Sequence, residues 1–455
     1  MARAVVLGLI LACLAAPQAF GDVGVVLNES LDTSIARITG SGHTAVYLSR
    51  ICPESPVRLR LCRADEQGSV ISNYISLGED QPFEWNVVPL NVYIYGVEDT
   101  RNRPMVGSQQ IKHVLEERYR QEYLSAYCES EFCRTSNKAE WREMVGASLS
   151  RSIYMFVAET TVEQDLDLIA QFNALPNRNH FNGVTRNCAD FTKRVINAYF
   201  PRATAPDYVN DFGMTSPKAI ARSFTRYASR HPEANFRVFH YAQIPGTIKR
   251  SSECRAGTEQ LYRSKKLLVP MLIFANQALP FVAASYLFTG RFNPQHELEK
   301  HPSIETTEAD VVGTPEDWKE YRAAFDALVA RAVREEIIRD RADLRDVFRR
   351  LDEAGTPVAD RNGALWIELS NREGNPRVGL SASNIFDSGS DSQLAYELVL
   401  ARTGSVLNSP KHSRETMAEF KKDWDLLQHG DFYSASSLLR AAAPAPGGGM
   451  SFNGR

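Results

Sequence analysis

The chain has 455 residues, of which 43% are hydrophobic and 24% are charged, enough apolar sequence for a sizeable core in more than one domain. Its formal net charge is −3. A protein that binds nucleic acid by neutralising phosphates needs a clear positive excess, so this class is excluded and no nucleic-acid partner is expected.

Residues 1–21, MARAVVLGLILACLAAPQAFG, have the layout of a secretory signal peptide. Arg3 precedes an apolar run, and small residues around Ala19 and Gly21 mark the expected cleavage point. An uncleaved anchor helix is the first alternative, but the run is shorter than the ~20 residues of a membrane span. Cys13 as a lipoprotein acceptor is the second. The sequence therefore predicts export to the periplasm or cell envelope.

Six of the seven cysteines follow the predicted signal peptide. In an oxidising compartment, cysteines that are close in sequence tend to pair. Two such pairs are disulfide candidates, Cys52 with Cys62 around a predicted hairpin and Cys128 with Cys133 in CESEFC. Cys188 and Cys254 are left over. A free thiol in an exported protein needs a reason, and catalysis is one.

Residues 22–250 are predicted to form one α+β domain, because strand patterns come first and helical patterns follow. The stretches HTAVYLSRI, VRLRLCR, SVISNYISL, NVYIYGV and SIYMFVAE are β-like in alternation or composition. Helices are predicted from IKHVLEERYRQEYLSAY, from TTVEQDLDLIAQFN with a capping box at Thr160 and Glu163, and from TSPKAIARSFTRYASRH.

Beyond this domain, the chain changes character twice. Residues 264–290 include an uncharged apolar run, predicted to be a membrane span or a buried or membrane-dipping helical segment. Residues 291–440 are predicted to be a separate α-rich region, with ALWIELS and PRVGLSAS as a small hairpin. Residues 441–455, rich in Pro, Gly and Ala, are predicted to be a disordered tail.

Cys188 begins the amphipathic stretch NCADFTKRVINAYFP. Asn187 can cap the helix, and Asp190 is placed like the acid of a capping box. In the first turn, exposed N–H groups and the helix dipole stabilise a thiolate, and the same N–H groups can hold an oxyanion. This is the placement that a nucleophilic cysteine needs. A buried, inert cysteine is the alternative.

A thiol nucleophile also requires a general base, which is usually histidine. His43 is the first candidate, because it opens a predicted strand after a turn of small residues in GSGHTAVYL. His180 is the competitor, in a loop rich in Asn and Gly that suits the rim of a pocket. The residue that would orient the imidazole is predicted to be Asn73, with Asn91 as the alternative.

The segments GHTAVYL and NRNHFNGVTRNCADF together resemble a circularly permuted papain-like (NlpC/P60-type) thiol enzyme, in which the histidine strand precedes the cysteine helix. The resemblance is closer to the periplasmic domain of the bacterial lipoprotein intramolecular transacylase family and covers roughly residues 38–200. It implies an antiparallel sheet, Cys188 as nucleophile and His43 as base. Asn187, His180 and Tyr47 are expected to contact substrate. Arg186 and Ala189 depart from the family pattern.

The expected function is exported, thiol-dependent acyl transfer or hydrolysis at an ester or amide, with a lipid, lipoprotein or cell-wall peptide as substrate. Association with a membrane is plausible from the apolar run. An amidase or endopeptidase of cell-wall peptide is the second interpretation. A scaffold in which Cys188 is bridged to Cys254 is the third. No metal or other cofactor is indicated, because the chain contains no His–x–His or C-x-x-C cluster.

Overall fold

The computed structural model describes residues 21–31, 42–73, 83–127, 140–178, 186–263, 279–287, 291–301, 344–369 and 376–385, with isolated positions between 269 and 277, between 319 and 323, and between 387 and 402. These residues form an α+β fold with antiparallel sheets. The predicted signal peptide (apart from Gly21), Cys128, Cys133, His180 and the predicted tail lie outside them.

The central sheet has six strands in the order β6-β5-β2-β1-β7-β8, and every neighbouring pair is antiparallel. Successive side chains point to opposite faces of the sheet, and most are buried on either face. Strands rich in Val, Ile and Ala are therefore favoured here. The strands are β1 (Gly21–Asn28), β2 (His43–Leu48), β5 (Ser69–Ser72), β6 (Asn86–Pro89), β7 (Ile153–Thr160) and β8 (Arg237–Tyr241).

The helices pack on both faces of this sheet. We number them in chain order, and a π-helical turn at Arg120–Leu124 continues the second. They are α1 (Leu90–Tyr95), α2 (Gln109–Tyr119), α3 (Ala147–Ser150), α4 (Val162–Ala174), α5 (Cys188–Tyr199), α6 (Pro217–Ala228), α7 (Gly257–Arg263), α8 (Leu279–Ser285), α9 (Pro294–Lys300) and α10 (Leu344–Ala354).

The pleat of β2 divides the core in two. Ala45 belongs to a first core, which also contains α1 and α2. Val46 and Leu48 belong to a second core, which contains the apolar side chains of α5 and α6. The helix that begins with Cys188 therefore packs on the face opposite to that of Ala45, and only its first turn can approach a group at the end of the strand.

The predicted hairpin around the first cysteine pair is confirmed. Strands β3 (Ile51–Ser55) and β4 (Arg58–Leu61) pair in an antiparallel register, and a disulfide joins Cys52 to Cys62. The Pro-containing turn folds β4 back onto β3 and brings the two Cα atoms to 4.9 Å, a separation that such a bond requires, although Cys52 itself pairs with Arg60.

Two local predictions were wrong. The stretch NVYIYGV is mostly helix α1 and not a strand, because a short apolar run that is buried on nearly every side has no period to separate the two. The cap of α4 is Thr161 and not Thr160, with Gln164 completing the capping box. Thr160 instead ends β7.

The C-terminal region was expected to be separate and α-rich. In addition to α10, it contributes an antiparallel sheet of β9 (Thr356–Ala359), β10 (Leu365–Glu368) and β11 (Arg377–Gly379), of which the hairpin β10–β11 was predicted. Apolar side chains such as Phe348 and Ile367 join the first core, with that of Tyr93 in α1. The chain returns here because α1 and α2 leave an apolar surface that these short strands cover.

The apolar segment 264–290 is described only in part. Helix α8 lies within it, and the described side chains of Val269, Leu272, Ile273 and Leu287 are exposed. Among the residues that the structure describes, none of the helices combines the length and apolar character that crossing a bilayer requires.

Candidate functional site

The first turn of α5 is capped as the sequence predicts. Asn187 Oδ1 accepts the backbone N–H groups of Ala189 (2.8 Å) and Asp190 (3.0 Å), and the Asp190 carboxylate reaches back to the Asn187 N–H. The Asn187 Nδ2 donates to the Thr215 carbonyl at 3.0 Å. Both ends of the Asn187 amide are thus engaged in holding the helix start.

The Cys188 sulfur is surrounded by backbone donors. The backbone N–H groups of Thr44, Ala189 and Cys188 itself lie near the sulfur and favour its ionised form. Burial nevertheless raises the pKa of the Cys188 thiol to about 11, since these donors do not repay the desolvation of a thiolate. Part of the side chain remains exposed, and no disulfide is formed. The resting group is therefore a neutral thiol within a set of N–H donors.

His43 is the residue directly before Thr44 and begins β2. Its ring Nε2 lies 2.9 Å from Ser72 Oγ on β5. Burial, and after it the charge of Arg151, lowers the pKa of His43 to about 3, while Glu143 opposes the shift. The imidazole is therefore neutral at physiological pH.

Gly42 fixes how β2 begins. Its φ is +71°, in the left-handed region, and an added Cβ would lie 2.3 Å from the Asn28 carbonyl oxygen and 2.4 Å from the Cys254 sulfur. No larger residue fits here without displacement. The small-residue turn that the sequence analysis singled out thus has a steric role beside His43.

The partner of the imidazole differs from the one predicted. Ser72 contacts His43 Nε2, whereas Asn73 donates its Nδ2 to the Glu84 carbonyl at 2.5 Å. Asn91, the alternative, donates to the Glu98 carbonyl at 2.9 Å. The reason is the register. Val46 pairs with Ile71, so Ser72 lies opposite Ala45, on the face that His43 shares, and Asn73 points the other way.

A buried polar layer surrounds this pair. Asn28, the partner of His43 on β1, donates its Nδ2 to the Tyr93 hydroxyl, and its carbonyl accepts the Cys254 thiol at 3.1 Å. Burial raises the pKa values of Tyr93 and Cys254, and the charge of a Cys188 thiolate would raise both further. Sequence reasoning missed this layer, because only the fold brings its members together.

Two other predictions concern single residues. The Tyr47 hydroxyl donates to the Gln67 carbonyl at 3.4 Å, and the ring packs against the first core, two pleats along β2 from His43. Cys188 and Cys254 are both free thiols, which contradicts the bridged scaffold. The Cys254 thiol is buried and donates a hydrogen bond to the Asn28 carbonyl, which agrees with its being unbridged.

Within the described ranges, metal-ligating side chains gather at Cys52, Cys62 and Glu66. The two sulfurs are bonded to each other, and the Glu66 carboxylate is paired with Arg60. This group is therefore unsuited to hold a metal ion.

Comparison of the chain with protein-family models, with curated proteins and with solved structures finds no match. The function proposed for this chain therefore rests on the geometry around Cys188 and on the resemblance of its motifs.

Proposed function

We propose that the protein is a thiol-dependent acyl-transfer enzyme in which Cys188 is the nucleophile and His43 is the general base. The observation that carries the proposal is the closeness of the Thr44 backbone N–H to the Cys188 sulfur, whose ionised form it favours. Since Thr44 follows His43 directly, the sulfur lies near the end of β2 that carries the imidazole. We assign Nδ1 as the nitrogen that takes the thiol proton, because Nε2 contacts Ser72 Oγ.

The reaction starts from a neutral pair. His43 Nδ1 takes the thiol proton as the sulfur attacks the carbonyl carbon of an ester or amide, and the carbonyl oxygen becomes an oxyanion. The N–H groups of Ala189 and Asp190 are engaged by the Asn187 cap, so the Cys188 N–H is the first-turn donor assigned to that oxyanion. The imidazolium then gives its proton to the leaving alcohol or amine, and a thioester remains on Cys188. Water or an amine attacks this thioester and regenerates the thiol.

The order of the elements agrees with a permuted papain-like enzyme, because the strand of the base precedes the helix of the nucleophile. A neutral pair is less usual for a reactive cysteine, which is commonly activated by a lowered pKa. The present pair relies on proton transfer during the attack.

An exposed apolar loop supports a lipid-bearing substrate. Tyr208, Val209 and Phe212 are 61%, 47% and 49% exposed, and they precede Thr215 in the same loop. Thr215 accepts the Asn187 amide and donates to Asp190 at 2.7 Å. The loop thus runs from an apolar tip directly to the cap of the Cys188 helix.

The disulfide Cys52–Cys62 agrees with an exported enzyme in the periplasm or cell envelope, since such bonds persist in oxidising compartments. In that setting the candidate substrates are lipids, lipoproteins and cell-wall peptides. The apolar loop favours the first two. Residues 264–290 add further exposed apolar side chains that agree with association at a membrane.

The test is product analysis with a synthetic diacyl lipopeptide and, in parallel, with peptidoglycan fragments. We expect the wild type and Cys254→Ala to transfer or release an acyl chain from the lipopeptide, and Cys188→Ala to do neither. Cleavage of the peptidoglycan fragments alone would instead favour a cell-wall amidase. Acyl products from Cys188→Ala at the wild-type rate would refute the proposal.

A further inference from the structure

Asn86 on β6 is a buried amide without a described partner. It is 1% exposed, and neither its Oδ1 nor its Nδ2 has a hydrogen-bond partner in the part of the chain that the structure describes. Leaving such a group unpaired inside a protein is costly, so an amide retained in this state calls for an explanation.

The position of Asn86 supplies one. It is the direct partner of Ser72 across the β5–β6 pair, so the two side chains lie on the same face with Cβ atoms about 5 Å apart. Ser72 is itself fully buried and contacts His43 Nε2. The unpaired amide therefore lies beside the hydroxyl that holds the proposed base.

The hydrogen bond between Ser72 Oγ and His43 Nε2 can run in either of two directions. If the Ser72 hydroxyl donates to Nε2, then the neutral imidazole carries its proton on Nδ1, and Nδ1 cannot accept the thiol proton. If Nε2–H donates to Ser72 Oγ, then Nδ1 is basic, but the Ser72 proton needs another acceptor. Only the second arrangement suits His43 as a base, and Asn86 Oδ1 is a free acceptor across the strand pair.

We propose that Asn86 is a positioning residue, whose Oδ1 accepts the Ser72 hydroxyl proton and thereby fixes His43 as the Nε2–H tautomer. The two groups are not hydrogen-bonded in the structure, so this contact requires a change in the Asn86 side-chain torsions. The inference rests on the proposed function, in which His43 Nδ1 is the base. Asn86 acts through Ser72 and touches neither the substrate nor the sulfur.

The variants separate this role from a structural one. Asn86→Leu keeps the shape and removes the amide, and Asn86→Asp keeps an acceptor. Thr192→Val is the matched control, because Thr192 Oγ1 on α5 is also buried and unpaired. Removing an unpaired buried polar atom should leave the melting temperature of Thr192→Val equal or higher, whereas Asn86→Leu loses the proposed bond to Ser72 and should melt at a lower temperature.

Two readouts follow. The first is the rate at which p-nitrophenyl octanoate acylates Cys188. We expect Asn86→Leu to be about tenfold slower, the worth of one hydrogen bond, while Asn86→Asp and Thr192→Val stay close to the wild type. Ser72→Ala combined with Asn86→Leu should be no slower than Ser72→Ala alone, because the two residues act in one chain.

The second readout is the ¹⁵N chemical shifts of the His43 ring nitrogens, which report the tautomer without any substrate. We expect Nε2–H in the wild type and Asn86→Asp, and a larger Nδ1–H fraction in Asn86→Leu. If Asn86→Leu does not fold, Asn86→Ala should show the same change. An unchanged tautomer, or wild-type acylation in Asn86→Leu, would overturn the inference. Failure of the proposed function is seen separately, as acylation that survives in Cys188→Ala.

Discussion

The backbone N–H of Thr44 lies near the sulfur of Cys188 and favours the ionised form of its thiol. These residues are 144 positions apart, and their contact brings the start of a nucleophile-bearing helix to the residue that follows His43. The helix body packs on the opposite face of the sheet from Ala45. The proposed function therefore requires the His43 ring and the Cys188 sulfur to meet at the end of β2, where the two faces of the sheet adjoin.

Gly42 should be intolerant of a side chain. Gly42→Ala has to overcome a φ of +71° and clashes with the Asn28 carbonyl and the Cys254 sulfur. Gly213→Ala is the matched control, because its φ is +86° and no atom lies within 4 Å of the added Cβ. We expect the control to lose about 1–2 kcal/mol of unfolding free energy from backbone strain alone, and Gly42→Ala to lose clearly more. Urea unfolding measures both, and equal losses would contradict the described packing.

The pH dependence of stability should carry a His43 contribution on the acid side. The folded-state pKa of about 3 lies below the ordinary value of 6.5, so the unfolded chain binds a proton that the folded chain does not bind. The stabilisation is complete above about pH 6.5 and is lost as the pH falls towards 3, by about 3–5 kcal/mol. His43→Gln should flatten this slope in urea titrations between pH 4 and 7. An unchanged slope would show that His43 titrates alike in both states.

Cys188 should react slowly with iodoacetamide at neutral pH. Burial raises the pKa of its thiol to about 11, and only the thiolate is alkylated. We expect the rate, followed on the Cys188 peptide by mass spectrometry, to rise with a midpoint near pH 11. A plateau reached below pH 8 would instead indicate a preformed thiolate–imidazolium pair, and the neutral-pair mechanism would be wrong.

The disulfide Cys52–Cys62 should contribute to stability and leave the chemistry unaffected. It closes a loop with a sequence separation of 10, for which the chain-entropy model gives about 2–3 kcal/mol. The double variant Cys52→Ala/Cys62→Ala should unfold at lower urea concentration by this amount. Its rate of Cys188 acylation should match that of the wild type below the unfolding transition. A large loss of acylation in the folded variant would connect the hairpin to the site.

The sequence predicted the features that depend on local chemistry. The capped helix after Asn187, the hairpin at Cys52 and most strands follow from short patterns. The partner of His43 could not be predicted from such patterns. Ser72 and Asn73 are neighbours, and only the register of β5 against β2 decides which of them faces the imidazole. Without knowledge of that register, the Asn73 amide was predicted to orient the imidazole.

Long-range packing accounts for the other differences. NVYIYGV became helix α1 because its surroundings bury nearly every side chain, so no local period distinguishes helix from strand. The return of residues 344–402 onto the first core was likewise invisible in the sequence, since the apolar surface that these residues cover belongs to distant helices. NVYIYGV is enclosed by its surroundings, and residues 344–402 contact helices that lie hundreds of residues earlier in the chain. The local sequence reveals neither environment.

The most direct test of the central claim is the mass of the protein after brief exposure to p-nitrophenyl octanoate and an acid quench. We predict one octanoyl group, located on the Cys188 peptide, in the wild type and in Cys254→Ala, a much slower adduct in His43→Gln, and none in Cys188→Ala. An octanoyl group on another residue, or the same adduct in His43→Gln at the wild-type rate, would contradict the assignment of Cys188 and His43 as nucleophile and base.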